Sequence, residues 1–389
     1  MKKLTGLLLL SLASYNLQAQ NFIQAYQNRV NQVTQANIIS LLQDFESFGV
    51  KTSGSTANNN TLNWLKAKYQ TYGYAPSQIT EDSFNVNGNT TKNLIITKTG
   101  TVYPNTYVII CGHYDTIVGP GVSDNGSGTS ILLEAARILK DIPTEYSIKF
   151  IHFSGEEQGL LGSYHYVNNV VFQNGVRQMD IRLVFNIDQV GGKLSAPSNS
   201  VKCESDQSGL PGNNAASLSF TQQLAACTTL YSPLQTVMSN AYSSDYVPFE
   251  GKGDIITGFY ETPQSQNEHT ANDTFANVDP TYVFKVGKAA VGALQHFAIA
   301  SSVLATQETS SNLLEDIKIY PNPAKDLLNL EIPKEIKNFS FEIKDMNGRL
   351  ISAHENEKTI NVSKLSSGVY LCTVKSDGET VTKKVIIEK

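Results

Sequence analysis

Short apolar runs alternate with helical patterns through the first two thirds of the chain. Four runs are rich in β-branched and aromatic residues, as buried strands are: 107–112, 148–153, 181–187 and 255–260. Between the first two, residues 128–139 repeat apolar side chains at helical spacing, which recurs over 22–45 and 60–72. A strand, a helix and a strand in succession predict a βαβ unit. We therefore predict an α/β fold, with a mostly parallel mixed sheet flanked by helices.

The last part of the chain has a different pattern. Short alternating segments separated by turn residues are typical of an all-β domain, and they occupy 317–320, 327–332, 339–343, 369–374 and 381–387. The turn signals include Pro321-Asn-Pro323 and Met346-Asn-Gly348. Five or more strands within about 75 residues predict a small β-sandwich.

These patterns divide the chain into domains. The first residues combine a basic start at Lys2 and Lys3, an apolar run over Leu7–Leu10 and a small-residue stretch, as secretory signal peptides do. No later stretch is apolar enough to predict a transmembrane helix, so we expect a protein secreted through the periplasm. We predict the following segments: a signal peptide over 1–19, an α/β domain over 20–302, a polar linker over 303–314 and a C-terminal β-sandwich over 315–389.

Composition and charge change this picture only slightly. The 389 residues carry a net charge of −5, and no basic patch is evident, so nucleic acid is not an expected partner. Export permits disulfides, and the chain has four cysteines. Cys111 and Cys372 fall in predicted strands of different domains and are expected to be buried thiols. Cys203 and Cys227 lie in a less regular region, where we predict a bridge between them.

Polar residues with metal-binding side chains follow the predicted strands. Along the chain they are His113, Asp115, Asp124, Glu156, Glu157, Asp188 and His269. In open sheets of this kind ligands bind beyond the carboxyl ends of the strands, where we expect these side chains to converge. Zinc accepts imidazole nitrogen and carboxylate oxygen, and a catalytic zinc keeps a position for water. The sequence therefore predicts a zinc centre.

The charges of this set fit two zinc ions. We place Asp124 between the ions, with His113 and Asp188 on one, and Glu157 and His269 on the other. Three carboxylates then oppose roughly four positive charges, which leaves about one unit for a bridging hydroxide. The predicted cofactor is therefore a pair of zinc ions in each chain.

Two carboxylates remain outside this ligand set. Asp115, two residues beyond His113, can accept the other ring N–H and fix the tautomer of that imidazole. Because adjacent side chains diverge, Glu157 can bind metal while Glu156 faces the water as the general base.

Five short motifs contain these residues: Gly112-His-Tyr-Asp115, Ser123-Asp-Asn-Gly-Ser-Gly128, Phe153-Ser-Gly-Glu-Glu-Gln-Gly159, Asn186-Ile-Asp188 and Glu268-His-Thr270. In this order, over about residues 30–300, they resemble the co-catalytic zinc aminopeptidases of metallopeptidase family 28, such as bacterial leucyl aminopeptidases. The resemblance implies a phosphorylase/hydrolase-like α/β/α fold, two zinc ions and release of N-terminal residues from a peptide substrate. It implies the same ligands and base, and a cis peptide between Asp124 and Asn125. One departure is Gln189, where an apolar residue is more usual, and it bears on substrate preference.

The C-terminal segment carries a second set of motifs: Tyr320-Pro-Asn-Pro323, Asp345-Met-Asn-Gly348, Ser367-Gly-Val-Tyr-Leu371 and the terminal residues 383–389. These resemble the type A sorting domain of the type IX secretion system. The resemblance implies passage across the outer membrane by that machinery, followed by removal of the domain. The alternative is a carbohydrate-binding sandwich, which lacks an evident aromatic platform here.

Other interpretations of the catalytic domain stay open. The nearest enzymatic alternative is glutaminyl cyclase, which shares the fold but uses one zinc, and the complete ligand set favours the peptidase. A non-catalytic relative that keeps the fold as a binding surface would have lost a ligand or the base. The sequence does not separate an aminopeptidase from a carboxypeptidase.

Several nearby residues have structural interpretations. His152 lies within an apolar strand and is expected to pack there, and Glu134 falls on a helix, where we expect it to be solvated. Four aromatic residues are candidates for lining a side-chain pocket, although aromatic residues pack cores more often: Tyr242, Tyr246, Phe249 and Tyr260.

Overall fold

The computed structural model describes residues 20–208, 212–302, 317–333, 336–345, 349–376 and 379–389. Within these ranges the chain forms two compact units, one up to residue 302 and one from residue 317. The predicted signal peptide and linker lie outside the described residues, so the domain boundaries stay predictions.

The described residues of the first unit form these helices: α1 (Gln24–Val30), α2 (Gln35–Ser47), α3 (Thr56–Thr71), α4 (Ser127–Leu139), α5 (Leu161–Tyr166), α6 (Asn214–Tyr231), α7 (Val247–Glu250) and α8 (Pro280–Phe297). The strands are β1 (Ile79–Val86), β2 (Asn89–Lys98), β3 (Tyr103–His113), β4 (Tyr146–Phe153), β5 (Phe172–Gln173), β6 (Val176–Arg177), β7 (Asp180–Ile187), β8 (Ser200–Ser205), β9 (Gln235–Asn240) and β10 (Ile256–Thr262). The four predicted strands correspond to β3, β4, β7 and β10, and the predicted helix 128–139 corresponds to α4.

One eight-stranded sheet organises this unit, in the order β1-β2-β4-β3-β7-β10-β8-β9. The central strands β4, β3, β7 and β10 are parallel, whereas β2 and β8 add antiparallel neighbours at either side. The central strands are apolar along nearly their whole length because helices cover both faces of the sheet. The prediction of a mostly parallel mixed sheet flanked by helices is confirmed.

Alternate residues of the central strands enter two different cores. Val108 and Ile110 of β3 face a large core completed by α1, α2, α3, α4, α6 and α8. Ile109 and Cys111 face a smaller core that includes residues of α5 and α7. This division follows from the two-residue period of a strand, which points successive side chains to opposite faces.

The predicted N-terminal helix pattern over 22–45 is divided into two helices. The division falls at Thr34, whose side chain accepts the N–H of Asn37 and caps α2. Ser55 caps α3 in the same way, so that helix begins earlier than the predicted residue 60. Capping side chains therefore set both boundaries.

Helix α4 is buried on nearly every side, and this changes the role of Glu134. The side chain is 0% exposed and accepts two hydrogen bonds from Arg137, at 2.8 and 2.9 Å. Asn37 of α2 donates a third at 3.3 Å. The prediction that Glu134 is solvated is wrong, because α2 covers this part of α4. His152, in contrast, is buried as predicted and contacts the hydroxyl of Tyr69 at 2.8 Å.

The second unit is an all-β sandwich with one apolar core. One sheet has the order β11-β12-β15 and the other β14-β13-β16-β17. The strands are β11 (Lys318–Tyr320), β12 (Leu327–Glu331), β13 (Ser340–Asp345), β14 (Leu350–Glu355), β15 (Thr359–Asn361), β16 (Gly368–Ser376) and β17 (Glu379–Ile387). The five predicted strands are present, and β14 and β15 are additional. Both are short and largely exposed, which left no clear apolar alternation in the sequence.

All four cysteines are buried free thiols in the structure. This agrees with the prediction for Cys111 and Cys372, but the predicted bridge between Cys203 and Cys227 is wrong. Cys203 lies on β8 and Cys227 on α6, and both belong to the same apolar core. Among the described residues, no helix is both long and apolar enough to cross a membrane.

Candidate metal centre

The structure brings the five predicted ligands together at the carboxyl end of the sheet. Asp124 is the common member, with Oδ1 at 3.1 Å from His113 Nε2 and Oδ2 at 3.2 Å from His269 Nε2. His113 Nε2 also lies 3.2 Å from Asp188 Oδ1, and His269 Nε2 lies 2.8 Å from Glu157 Oε2. Two donor groups therefore share one carboxylate, as the sequence predicted for Asp124.

The donor chemistry of each group fits a zinc ion. Each group supplies one imidazole nitrogen and two carboxylate oxygens, all within 4.8 Å of one another. His113, Asp124 and Asp188 are buried, so their charges are largely withdrawn from water. Buried carboxylates require compensating cations or hydrogen bonds, and the nitrogen and oxygen donors present are those that zinc accepts.

The electrostatics of the metal-free residues reflect this crowding of acids. Burial alone would lower the pKa of His113, but Asp188 and Glu156 outweigh it and raise that pKa well above its usual range. Burial, reinforced by Asp124, raises the pKa of Glu157 to about 8. The hydrogen bond to Asp124 raises the pKa of His269 to about 9. The cluster therefore favours bound positive charge, either protons or metal ions.

The turn that carries Asp124 is held by side chains from distant segments. Asp273 accepts the backbone N–H groups of Ser123 at 2.7 Å and of Asp124 at 3.0 Å. Asn125 donates through Nδ2 to the carbonyl of Ile187 at 2.9 Å. The peptide between Asp124 and Asn125 is cis, as the family resemblance implied. Sequence reasoning missed Asp273, although its place four residues after His269 in a polar loop was an available signal.

Two loops that carry candidate ligands contain non-glycine residues with left-handed backbone. His269 has φ 53°, and Gln189, directly after Asp188, has φ 48°. Such conformations are uncommon for side chains of this kind and are frequent at functional sites. The side chain of His269 is 53% exposed, so this candidate ligand lies on the solvent side of the cluster.

Asp188 is oriented by two hydroxyl groups. Its Oδ2 atom accepts hydrogen bonds from Ser244 Oγ at 2.6 Å and from the Tyr242 hydroxyl at 3.0 Å. Its other oxygen, Oδ1, is thereby left to face His113. Ser244 was not predicted, because nothing in its local sequence separates it from an ordinary loop serine.

Asp115 is close to His113, but its carboxylate has a different role from the predicted one. His113 Nδ1 lies 3.1 Å from the backbone carbonyl of Asp115 and 3.7 Å from the carboxylate. The carboxylate instead accepts the backbone N–H groups of Glu156 at 3.2 Å and Glu157 at 3.3 Å. The prediction that the Asp115 carboxylate accepts the ring N–H is therefore wrong, because the backbone carbonyl of the same residue lies closer. Asp115 positions the two glutamates.

A cavity of about 470 Å³ opens beside the ligands. Glu156 lines it, with Oε2 at 3.9 Å from His113 Nε2, and burial raises the pKa of this carboxyl well above its usual range. Of the four aromatic candidates, Tyr242 and Tyr260 line the cavity. Tyr246 and Phe249 are buried in the smaller core instead. Gln189 also lines it, and accepts a hydrogen bond from the Tyr260 hydroxyl at 2.8 Å.

The sequence of the first unit matches a peptidase family. Residues 93–294 match peptidase family M28, and this match covers just over half of the 389 residues. The chain belongs to peptidase family M28. Residues 318–388 match the secretion system C-terminal sorting domain, which corresponds to the β-sandwich unit.

Curated relatives of this chain include aminopeptidases. Aminopeptidase YwaD of Bacillus subtilis (strain 168) is 30% identical over 236 residues, covering 54% of this chain and 46% of that protein. A probable leucine aminopeptidase 2 of Aspergillus fumigatus is 39% identical over 107 residues, covering 27% of this chain and 20% of that protein. The chain therefore matches less than half the length of these relatives.

Solved structures share the fold at low sequence identity. LapB from Legionella pneumophila superposes with a TM-score of 0.63 at 21% identity, covering 73% of this chain and 77% of that chain. BSAP, a zinc aminopeptidase from Bacillus subtilis, gives 0.58 at 16% identity, covering 72% and 97%. A glutaminyl cyclase of Macrostomum lignano gives 0.60 at 17% identity, covering 72% and 94%. At these identities the likeness shows the fold alone.

Proposed function

We propose that this protein is an exported zinc aminopeptidase that binds two zinc ions. The observation that carries the proposal is the position of Asp124, whose two oxygens face His113 and His269 separately. Each histidine has a second carboxylate beside it, Asp188 for the first and Glu157 for the second. Two complete donor groups around one shared carboxylate support two ions better than one.

When bound, zinc would polarise the carbonyl of a peptide bond and make a water molecule more acidic. The chain's own residues supply the proton transfers. Glu156 lines the cavity without belonging to either donor group, and its Oε2 atom lies 3.9 Å from Nε2 of His113. It is therefore suited to take a proton from the attacking water and to deliver it to the leaving amine. Asp115 holds the backbone of Glu156, so the base keeps a fixed position.

Cleavage at the N-terminal end of a peptide is supported by the names of the relatives. Aminopeptidase YwaD and the probable leucine aminopeptidase 2 are both named for this activity, and both are similar to this chain. A carboxypeptidase would have to recognise a free carboxylate instead. The preferred end is therefore a direct experimental question, which reporters blocked at either end can answer.

The glutaminyl cyclase alternative shares the fold, so the fold does not separate the two activities. The two donor groups favour the peptidase, because the cyclase is expected to use one zinc. Measuring the zinc content of the purified protein by elemental analysis, together with a panel of aminoacyl anilides, tests the proposal. We expect about two zinc ions per chain, hydrolysis of the free-amine reporters and loss of hydrolysis after chelation. One zinc with cyclisation of N-terminal glutamine would establish the cyclase instead.

We further propose that the C-terminal unit directs export through the type IX secretion machinery and is then removed. The match over residues 318–388 supports this role. Mass spectrometry of culture medium tests it in a bacterium that has this machinery. The extracellular form is expected to begin near Asn21 and to end between residues 300 and 315. An extracellular form that retains Lys389 would contradict removal of the sorting domain.

A further inference from the structure

The cavity beside the metal centre reaches a further carboxylate, that of Glu204. This residue lies on β8, is only 2% exposed and lines the same cavity as Asp188 and Glu156. It does not belong to either donor group. A buried carboxylate in the cavity wall, separate from the ligands, needs its own explanation.

The fold holds one oxygen of Glu204 in place through two tyrosines. The backbone N–H of Tyr242 donates to the hydroxyl oxygen of Tyr246 at 2.8 Å, and that hydroxyl donates to Glu204 Oε2 at 2.9 Å. Gly258 pairs with Glu204 across the sheet, and a Cβ atom there would lie 3.0 Å from the Tyr246 ring and 3.3 Å from Glu204 Oε2. Glycine at this position therefore leaves room for the tyrosine–carboxylate pair.

The other oxygen of Glu204 is free to meet a substrate. No described residue donates a hydrogen bond to Oε1, and no described cation lies within 4.0 Å of the carboxylate. Lys202, two residues before Glu204 on β8, also lines the cavity, but its ammonium lies over the Tyr260 ring, 4.7 Å from the centroid, and forms no ion pair with Glu204 within 4.0 Å. Burial raises the pKa of Glu204 to about 8, and an entering cation would oppose that effect by stabilising the ionised form.

We propose that Glu204 selects substrates whose N-terminal residue has a basic side chain, an ammonium or a guanidinium. This inference rests on the proposed aminopeptidase function and names its substrate class. The two tyrosines that line the cavity, Tyr242 and Tyr260, offer aromatic walls to the aliphatic stem of such a side chain. The Glu204 carboxylate then receives the charged end.

The position of Glu204 favours a side chain over the α-amine of the substrate. Glu204 is aligned with Gly258 of β10, which in turn is aligned with Asn186 of β7, two residues before the ligand Asp188. Neighbouring strands lie about 4.8 Å apart, so the backbone of Glu204 is roughly 10 Å from that of β7. The α-amine is only two bonds from the scissile carbonyl carbon and stays near the ligands. A lysine or arginine side chain has the length to cross this distance.

A matched pair of reporters tests the inference in the zinc-loaded enzyme. Lysine and norleucine anilides share the four-carbon stem, and only lysine has the ammonium. We expect kcat/KM for lysine to exceed that for norleucine by at least tenfold, and Glu204→Gln to reduce this ratio by at least tenfold. Tyr246→Phe, which removes only the hydroxyl that holds Oε2, should reduce the ratio by a smaller factor. The exposed Asp141→Asn, which removes one negative charge elsewhere, serves as the control and should keep the ratio.

Three results would overturn the inference. The first is a wild-type preference for norleucine, and the second is a lysine-to-norleucine ratio of kcat/KM that is unchanged in both Glu204→Gln and Tyr246→Phe. The third is an equal loss of kcat/KM for both reporters in Glu204→Gln, which would assign Glu204 to the α-amine. Calorimetric binding of free L-lysine and L-norleucine separates this inference from the proposed function. If neither reporter is hydrolysed but lysine binds at least tenfold more tightly, the aminopeptidase proposal fails and the basic-residue pocket stands. Equal binding of the two amino acids refutes the pocket.

Discussion

The backbone N–H of Glu156 donates a hydrogen bond to Asp115 Oδ1 at 3.2 Å. The next N–H, that of Glu157, donates to Oδ2 of the same carboxylate at 3.3 Å. One buried side chain at the end of β3 therefore fixes both glutamates at the end of β4. The proposed base and a proposed ligand are held by a single acceptor, and their positions depend on it together.

Replacing Asp115 with Asn tests this dependence. An amide has one acceptor oxygen in place of two, so one of the two backbone N–H groups loses its partner. Loss of such supporting contacts typically reduces metal affinity or activity by about 10–100-fold. We expect kcat/KM to fall by this factor, and the zinc content of the same variant shows whether metal binding falls as well. Ser53→Ala is the matched control, because the hydrogen bond that Ser53 Oγ donates to the same carboxylate is long, at 3.4 Å. Full activity in Asp115→Asn would contradict the positioning role.

The adjacent pair Glu156 and Glu157 should give opposite results for metal content. Glu156→Gln keeps the size of the side chain but removes the proton acceptor, so hydrolysis should fall by about 10²–10⁴-fold with zinc content unchanged. Glu157→Gln weakens a donor that lies 2.8 Å from His269, so zinc content and hydrolysis should fall together. Elemental analysis and kinetics on both variants decide the assignment. If Glu156→Gln loses zinc and Glu157→Gln keeps it, Glu156 is the ligand and Glu157 the base.

Zinc should stabilise the folded protein, and His269 should carry part of that effect. A ligand that binds only the folded state adds about 2.7 kcal/mol of stability at a concentration 100 times its Kd. Adding zinc to the metal-free protein should therefore raise Tm. His269→Ala should reduce this rise without large loss of metal-free stability, because the side chain is 53% exposed. The control is His165→Ala, on a helix outside both donor groups. An equal zinc-induced rise in both variants would exclude His269 as a ligand.

Most of the fold was predictable from the sequence because the central strands are apolar on both faces. The run 107–112 could be read as buried β3, and the polar residue that follows it, His113, could be placed at the sheet edge. The same reasoning placed Asp188 after β7. The five proposed ligands could be brought to one place from the sequence because each follows such a strand or lies in a recognisable motif.

The remaining features depend on contacts between distant segments, which a sequence pattern does not encode. Glu134 is polar on an amphipathic helix, and only the packing of α2 over it shows that it is buried. The acceptor role of Asp115 depends on which backbone N–H groups point toward its carboxylate. Tyr246 and Tyr242 are four residues apart, yet one is buried and the other lines the cavity. The pairing of Glu204 with Tyr246 likewise requires β8 and the residue that precedes α7 to be placed in three dimensions.

Asp245 should make the metal-free protein less stable as the pH rises. It is fully buried, close to the Ser163 hydroxyl and to the charges of His113 and Asp188. Burial raises its pKa to about 7, whereas the unfolded chain loses this proton near pH 4. Between these values the folded state binds more protons than the unfolded state, so the free energy of unfolding falls with rising pH. One such group contributes a slope of at most about 1.4 kcal/mol per pH unit.

Asp245→Asn removes this titration, so its stability relative to the wild type should improve steadily from about pH 4 to about pH 7. Urea unfolding of the chelated protein at several pH values measures the difference. Tyr166→Phe is the control, because Tyr166 belongs to the smaller core and has no carboxyl group. That variant should shift stability by a similar amount at every pH in the range. A difference between wild type and Asp245→Asn that stays constant with pH would show that Asp245 keeps its charge in the folded state.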